Sequence, residues 1–399
     1  MIAISFLGTG DYTETEYRHE GKSFKTEFFP EAVYHIFNPE DLYVILTPQA
    51  YNKHYDNLSK RIKFNEININ TGKNEDELWD MFNSVVNAIP ENSEIIFDVT
   101  HGFRSQPLFA LAIIIFLKTV KNIKVYKILY GAFEAKTDDI TPIFDLTPFL
   151  NLIEWTGAVN EFIKYGNANN LRDILSNIQD SHNKSNEDKL TVAKNFGNNL
   201  GDFLERLSFL RIHSISKPTL SDLINNLSKS ISLIEKDFEK DKSLEPFMSL
   251  FSLINSKIEP FGSLTNKIFD IESLKVQVNI VKWYINSNQY QQAFTLYREF
   301  LVTSFCIKSS LDPINDRDIA ENNIHTFIKK YDFKNSENAD IHKNNVHYVI
   351  VKYFNDILEL RNDMNHASMR ENPNPVKSFV NKSKNLIPEM NNIIENYLY

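Results

Sequence analysis

Arg361-Asn362-Asp363-Met364-Asn365-His366 places a permanent cation and a titratable imidazole five positions apart near the C-terminus. Arg361 prolongs the apolar stripe of Ile350, Phe354, Ile357 and Leu358, because residues 3, 4, 7 and 11 positions back share a narrow arc of a 3.6-residue helix. A guanidinium aimed inward is costly unless it meets an anion or a hydrogen-bonding partner. Arginine forks two phosphate oxygens, and an imidazole with an ordinary pKa of about 6.5 takes or gives a proton near neutrality. Metal-free RNA cleavage needs those tools: a base for the 2′-hydroxyl, an acid for the leaving 5′-oxygen, and cations at the crowded phosphorus. Five residues span about 500° of helix, which leaves the pair roughly 140° apart in azimuth. Either the helix breaks near Asn365, or the site is shared across a two-fold axis with a second subunit. Asn362 and Asn365 would then hold the pair or touch RNA. The bland alternative is a helix C-terminus with His366 on its carbonyls and Arg361 paired to a Glu.

Two other segments carry chemistry. Gly8-Thr9-Gly10-Asp11-Tyr12 follows the first expected strand, and glycines there let backbone N–H groups approach a phosphate. The third glycine of a dinucleotide fingerprint is missing, so a tight turn without ligand fits nearly as well. Asp98-Val99-Thr100-His101-Gly102-Phe103-Arg104-Ser105-Gln106-Pro107 lies between a strand and an apolar helix. Pro107 suits a first helical turn, and Ser105 or Gln106 can cap it. Thr100, His101, Arg104, Ser105 and Gln106 offer donors at the carboxyl end of a parallel strand, where open α/β sheets bind ligands. An anionic ligand such as a nucleotide phosphate is expected there; a capped loop with His101 and Arg104 paired to neighbours is the alternative. Ser105 has no G-x-S-x-G elbow around it, so it is a poor hydrolase nucleophile.

The elements that must position these segments alternate over the first 150 residues. Strands are expected at Ile2–Leu7, Leu42–Leu46, Phe64–Ile69, Glu94–Val99, Val125–Tyr130 and Pro142–Leu146. Helices are expected around Pro30–Phe37, Asn52–Ile62, Glu75–Ile89 and Pro107–Val120. Nearly all-apolar strands separated by helices imply a mostly parallel sheet covered on both faces, a Rossmann-like α/β domain. Beyond about residue 150 strand signals stop. Residues 151–399 read as an all-α region, divided near residue 270, with loops at Ser181–Lys189, Lys240–Ser243, Ser309–Asp316 and a mobile Asn335–Asn344. Ala293, Tyr297, Leu301 and Phe305 mark one long helix and Val346–Arg361 a second. A last helix is expected over Val376–Tyr397, kinked or broken at Pro388.

The 399 residues exceed one ordinary core, and 42% hydrophobic with 24% charged content is globular. A net charge of −9 argues against indiscriminate coating of nucleic acid while leaving room for a local basic cleft. Cys306 is the sole cysteine, which excludes an internal disulfide and a thiolate metal cluster; buried packing is expected for it. No metal site is expected. The start, MIAISFLGTGDY, lacks the basic n-region and long apolar stretch of a signal peptide. Leu108–Leu117 is wholly apolar but short of the roughly 20 residues that span a bilayer. It is expected as a helix buried in a sheet protein, with no membrane partner and a cytoplasmic location.

Together the three segments resemble CRISPR-associated ancillary ribonucleases of type III systems, which join an N-terminal CARF domain to a C-terminal HEPN domain. The HEPN signature, R-x(4–6)-H with a polar residue after the Arg, is similar to Arg361-Asn362-Asp363-Met364-Asn365-His366. FLGTGDY after strand one and DVTHGFRSQP after a later strand resemble the CARF loops. The resemblance implies a CARF-like domain over 1–150, a helical connecting region over 151–270 and a HEPN-like ribonuclease domain over 271–399. It implies a homodimer or higher oligomer that binds a cyclic oligoadenylate, cyclic tetra-adenylate first among the rings expected, and then cuts single-stranded RNA without metal or cofactor. The products would carry a 2′,3′-cyclic phosphate and a 5′-hydroxyl. Arg361 and His366 map onto the catalytic pair, with Asn362 beside them. Gly8, Thr9, Gly10, Asp11 and Tyr12, with Thr100, His101, Gly102, Phe103, Arg104, Ser105 and Gln106, map onto the ligand-facing loops. Two rivals stand beside this expectation. One is a ligand-sensing regulatory module without nuclease activity. The other is a sensor that also slowly linearises its own cyclic ligand.

Overall fold

Ile2–Leu7 is buried at all six positions, and a strand with no exposed residue must have neighbours on both edges and layers on both faces. The structure, a computed structural model, places this β1 between parallel β4 (Asp41–Leu46) and parallel β6 (Glu94–Asp98). It describes residues 1–101, 106–174, 187–212, 222–223, 225–230, 232, 245–261, 270–331, 333, 345–369 and 371–398. Two compact units divide the chain, Met1–Ile153 and Glu154–Tyr399.

In the first unit eight strands form one sheet in the order β3-β2-β8-β7-β6-β1-β4-β5. β5 is Asn65–Asn68, β7 is Lys124–Gly131 and β8 is Ile140–Asp145. All six expected strands are present. The sheet is mixed, because β7–β8 and β2–β3 are antiparallel while the remaining pairs are parallel. The expectation overlooked β2 (Thr15–His19) and β3 (Lys22–Thr26). They form a hairpin turned at Glu20 and Gly21, both with positive φ (46° and 83°), the backbone of a type I′ turn.

The sheet faces carry α1 (Phe29–Phe37), α2 (Pro48–Ser59), α3 (Glu75–Ala88) and α4 (Gln106–Val120). Thr47 caps α2 by accepting the Ala50 N–H at 3.2 Å, and Pro48 opens it. α2 therefore starts ahead of the expected Asn52. Asn74 caps α3 through the Glu77 N–H at 2.8 Å, with Glu75, Asp76 and Glu77 in the first turn. One core layer gathers Ile4, Phe6, Phe97 and Ile113; the opposite layer gathers Ala3, Phe28, Phe29, Val44 and Ile96. α4 departs from the fully buried helix expected of its apolar run. Ile113, Ile114 and Leu117 are buried, yet Leu108 is 76% exposed and Ile115, Phe116 and Val120 also face outward.

The second unit is helical. α5 (Thr147–Tyr165) crosses the boundary between the units, and α6 (Glu187–Ser208), α7 (Glu245–Ile258) and α8 (Ile271–Asn286) follow. α9 (Tyr290–Lys308) is the long helix marked by Ala293, Tyr297, Leu301 and Phe305, all of them buried, with Cys306 beside them. α10 (Arg317–Lys330), α11 (Val346–Asn365) and α12 (Val376–Ile393) pack around it. α12 continues through Pro388; the irregularity comes instead as a π-helical turn at Ile394–Leu398. Ser309–Asp316 is a run of turns, as expected. The expected loops Lys240–Ser243 and Asn335–Asn344, and 181–186 of Ser181–Lys189, lie outside the described residues, while 187–189 open α6. One apolar core runs from Trp155 to Ile394. Among the described residues no helix is long and apolar enough to cross a membrane.

Candidate functional site

The strand order β6-β1-β4 sets three carboxyl ends side by side, so the segments after them must meet. Gly8 begins the loop after β1, where an added Cβ would lie 2.5 Å from the carbonyl oxygen of His101. Only glycine permits that approach. Gly10 is less constrained, since its Cβ would meet nothing nearer than the Tyr12 ring at 3.6 Å. α2 grips the loop from the β4 side. Lys53 Nζ donates to the Thr9 carbonyl at 2.9 Å and pairs with Asp11 at 2.5 Å, and His54 Nε2 donates to the Gly10 carbonyl at 2.8 Å. The Lys53 ammonium holds the exposed Asp11 carboxyl below its usual range.

Tyr12 lies between two imidazoles. Its ring stacks on His101 at 4.1 Å and 29° and on His54 at 4.6 Å and 27°, with Phe28 edge-on at 5.7 Å. Burial pushes the Tyr12 phenol well above its usual pKa, so it stays neutral. His101 is neutral too. Its Nε2 accepts the Phe29 N–H at 3.3 Å, and burial, with His54 second, takes its pKa down to about 3. The proton therefore sits on Nδ1, and the ring brings no positive charge to an anion.

Below these rings Asp98 ends β6 with no exposed surface. Its Oδ1 accepts the Thr100 N–H at 2.7 Å, and the Thr100 hydroxyl accepts the Gly131 N–H at 2.8 Å. Oδ2 has no partner. Burial raises this carboxyl to about 7 against the pull of Thr100 and Ser5. Thr100 is thus committed to holding the loop. Gly102, Phe103, Arg104 and Ser105 lie outside the described residues, and Gln106 is the first residue of α4. The sequence reading missed Lys53, His54 and Phe28. The Thr47-Pro48 cap was the available signal for the first two, because it starts α2 at the carboxyl end of β4.

In the second unit Arg361, Asn362 and Asp363 occupy the last turns of α11, and His366 is its C-cap. The helical course is kept from Arg361 to the His366 cap. The His366 N–H still bonds the Asn362 carbonyl at 3.0 Å, and His366 keeps φ −89° and ψ 10°. The turn comes afterwards, at Ala367 and Ser368, both left-handed (φ 50° and 58°). The helix thus ends at Asn365, where a break was expected, but the His366 backbone still follows the helical course, so ending there does not by itself turn the imidazole toward Arg361. Arg361 does extend the buried stripe of Ile350, Phe354 and Ile357; it is half-buried, with its Nε enclosed and without a hydrogen-bond partner. His366 is exposed. Asp363 is buried, and its Oδ2 accepts the Asn374 N–H at 2.6 Å, which ties the Asn372-Pro373-Asn374-Pro375 segment to α11. Among the described residues no group of three or more His, Cys, Asp or Glu is placed to hold a metal ion.

Residues 2–134 match the family of CARF domains of the CRISPR system endoribonuclease Csx1. The chain carries an N-terminal CARF domain. Residues 151–282 match the second domain of the CRISPR-associated protein MJ1674. The chain is also 24% identical over 345 residues to that protein from Methanocaldococcus jannaschii, an alignment covering 83% of this chain and 48% of the relative. The chain thus spans about half the length of the curated relative it matches. Both matched domains are CRISPR-associated, and the mixed eight-stranded sheet with its site at the β6-β1-β4 edge is the CARF part. Arg361–His366 lies beyond both matched ranges.

Proposed function

We propose that this chain is a cyclic-oligoadenylate-activated endoribonuclease of CRISPR defence, with 271–399 acting as its HEPN-like part. One observation carries the nuclease reading: in a chain with a CARF domain, Arg361 keeps an enclosed Nε without a partner at a helix end that also bears His366. A buried guanidinium nitrogen left unpaired is costly, and an RNA phosphate would supply what it lacks. Arg361 would fork the scissile phosphate and offset charge as the 2′-oxygen adds to phosphorus. His366 would take the 2′-hydroxyl proton or deliver one to the 5′-oxygen as the P–O5′ bond breaks. The products are a 2′,3′-cyclic phosphate and a 5′-hydroxyl. Asn362 would steady one of the reacting groups.

The helical course kept up to the His366 cap favours a site built from two copies, because five residues of helix set the pair roughly 140° apart. The outward apolar face of α4 offers a surface on which two CARF domains could meet. A ring with rotational symmetry suits such a two-fold pair. The test is cleavage of a labelled single-stranded RNA with and without cyclic tetra- and hexa-adenylate. Arg361→Ala and His366→Ala should each abolish cutting and leave ring binding intact; full activity in both would refute the assignment. Mixing the two inactive variants should restore up to about a quarter of the activity if the site is shared, since half the dimers would then hold one intact site in two. No recovery would point to a site within one chain.

A further inference from the structure

We propose that the slot between His54 and His101 is a nucleobase subsite and that Tyr12 is its removable plug. The idea rests on the cyclic-oligoadenylate reading and names where one of the ring's bases would sit. The slot is already the shape of a base site. Tyr12 stacks on an imidazole at either face, 4.1 Å and 4.6 Å between centroids and under 30° from parallel, and Phe28 closes one edge at 5.7 Å. One wall is held from outside the slot, and the other is held partly by the plug's own loop, where His54 bonds the Gly10 carbonyl at 2.8 Å. His101 is fixed by the Phe29 N–H, and His54 stands on α2, which Thr47 caps. His101 therefore stays when the plug leaves, and His54 keeps its place on α2 while giving up its bond to Gly10. A purine has the flat face and width to replace a phenol there.

The plug is held through its loop, and opening it must break the Lys53 bond to the Thr9 carbonyl at 2.9 Å and the His54 bond to the Gly10 carbonyl at 2.8 Å. Tyr12 belongs to the loop of Gly8 to Asp11, which has no ladder bonds of its own. Asp11 is fully solvated, and its pairing with Lys53 is a surface ion pair of little worth. The Tyr12 hydroxyl is buried with only the Gly8 backbone beside it to bond, a weak hold for a core residue. The walls also match the chemistry of a neutral base. His101 accepts a backbone N–H and is uncharged, so it offers an aromatic face where a phosphate would want a cation. Asp98, close enough to raise the Tyr12 phenol further, carries an unpartnered and fully buried Oδ2 on the same side of the sheet. Displacing Tyr12 would give that carboxyl a polar edge to bond. Lys53, freed from Asp11 as the loop moves, would be the cation for the adjoining phosphate.

A plug and a stacking platform differ in the sign of one measurement. If Tyr12 occupies the base's place, binding pays for its removal, and the affinity seen is reduced by the fraction of molecules already open. Two aromatic contacts of this kind correspond to roughly 5- to 100-fold. Full-length Tyr12→Ala is therefore expected to bind labelled cyclic tetra-adenylate about 5- to 100-fold more tightly than wild type, while Tyr12→Phe, which keeps the plug, binds no tighter. Combining Tyr12→Ala with His54→Ala should shrink the gain, because the base loses a wall. Wild-type binding with an unchanged or weaker Tyr12→Ala overturns the plug and leaves the ligand reading standing. If neither protein takes up the tetra- or hexa-adenylate ring, both fall. Should Tyr12→Ala fail to fold, Tyr12→Val, which leaves most of the slot open without stacking, is judged by the same sign.

Discussion

Replacing Asp98 with Asn isolates the most unusual electrostatic feature of the CARF domain. The carboxyl has no exposed surface, one oxygen bonded to the Thr100 N–H and the other without a partner, so the fold accommodates it best with its proton on. In the unfolded chain it ionises near 3.8, and in the folded domain burial moves this to about 7. The folded state therefore binds the extra proton between those values. Stability from this group is complete below about 3.8 and is lost progressively as pH rises to about 7. The full gap is worth about 4 kcal/mol, of which about 3 kcal/mol falls between pH 5 and pH 8. Asn keeps an oxygen for Thr100 and never ionises. Urea unfolding of the N-terminal unit, followed across that range, should show Asp98→Asn gaining on wild type by about 3 kcal/mol as pH rises. The difference between the two proteins is the quantity to read, because His101, Tyr12, Tyr17, Ser5 and Thr100 surround the site in both. Parallel pH profiles for wild type and variant would refute the assignment of a protonated Asp98.

Other expectations follow from single contacts. His101, held neutral with its pKa at about 3, contributes stability that is full above about 6.5 and lost as pH falls toward 3. Its titration should therefore leave ring affinity flat between about pH 5.5 and pH 8, and a drop centred near 6.5 that disappears in His101→Asn would count against a neutral imidazole. Gly8→Ala drives a Cβ onto the His101 carbonyl and should cost about 1–3 kcal/mol in thermal unfolding, whereas Gly10→Ala, with 3.6 Å to the Tyr12 ring, should be nearly silent. Asp363→Ala leaves the Asn374 N–H without its acceptor and should lower stability of the helical unit by about 1–3 kcal/mol; an unchanged melting point would show that bond to be dispensable. Phe116→Glu puts a charge on the exposed face of α4 and should shift sedimentation toward monomer if that face joins two copies.

What was legible followed burial. β1, β4 and β6 are apolar because both their faces are covered, so composition alone located them. The β2–β3 hairpin escaped for the converse reason. Thr15 and Tyr17 are buried while Arg18, Lys22 and Ser23 are not, and the turn is Glu-Gly where Asn-Gly would have announced it. That omission reached the site, because the hairpin leads into Phe28 and Phe29, one closing the Tyr12 slot and the other bonding His101. α4 shows a different limit. An apolar helix covered by its own sheet and one whose outer face lies open share the same composition; only the exposure of Leu108 and Phe116 separates them.

The helical site marks where spacing and phase part company. Five residues between Arg361 and His366 were readable, and so was the azimuthal conflict they create on a continuous helix. Nothing in Asn362-Asp363-Met364-Asn365 showed whether the backbone would bend to resolve it. The answer depends on Ala367 and Ser368 taking the left-handed turn that a break within the motif would have required earlier. It depends also on Asp363, whose carboxylate holds the Asn374 N–H and so draws the returning segment back onto α11. A buried acid that ties down the next loop anchors the helix end, where helical phase sets Arg361 and His366 at divergent azimuths. An end anchored that way hinders a single chain from closing around a phosphate, yet it suits two chains that each present a preset half, because little ordering entropy then remains to be lost when the halves meet.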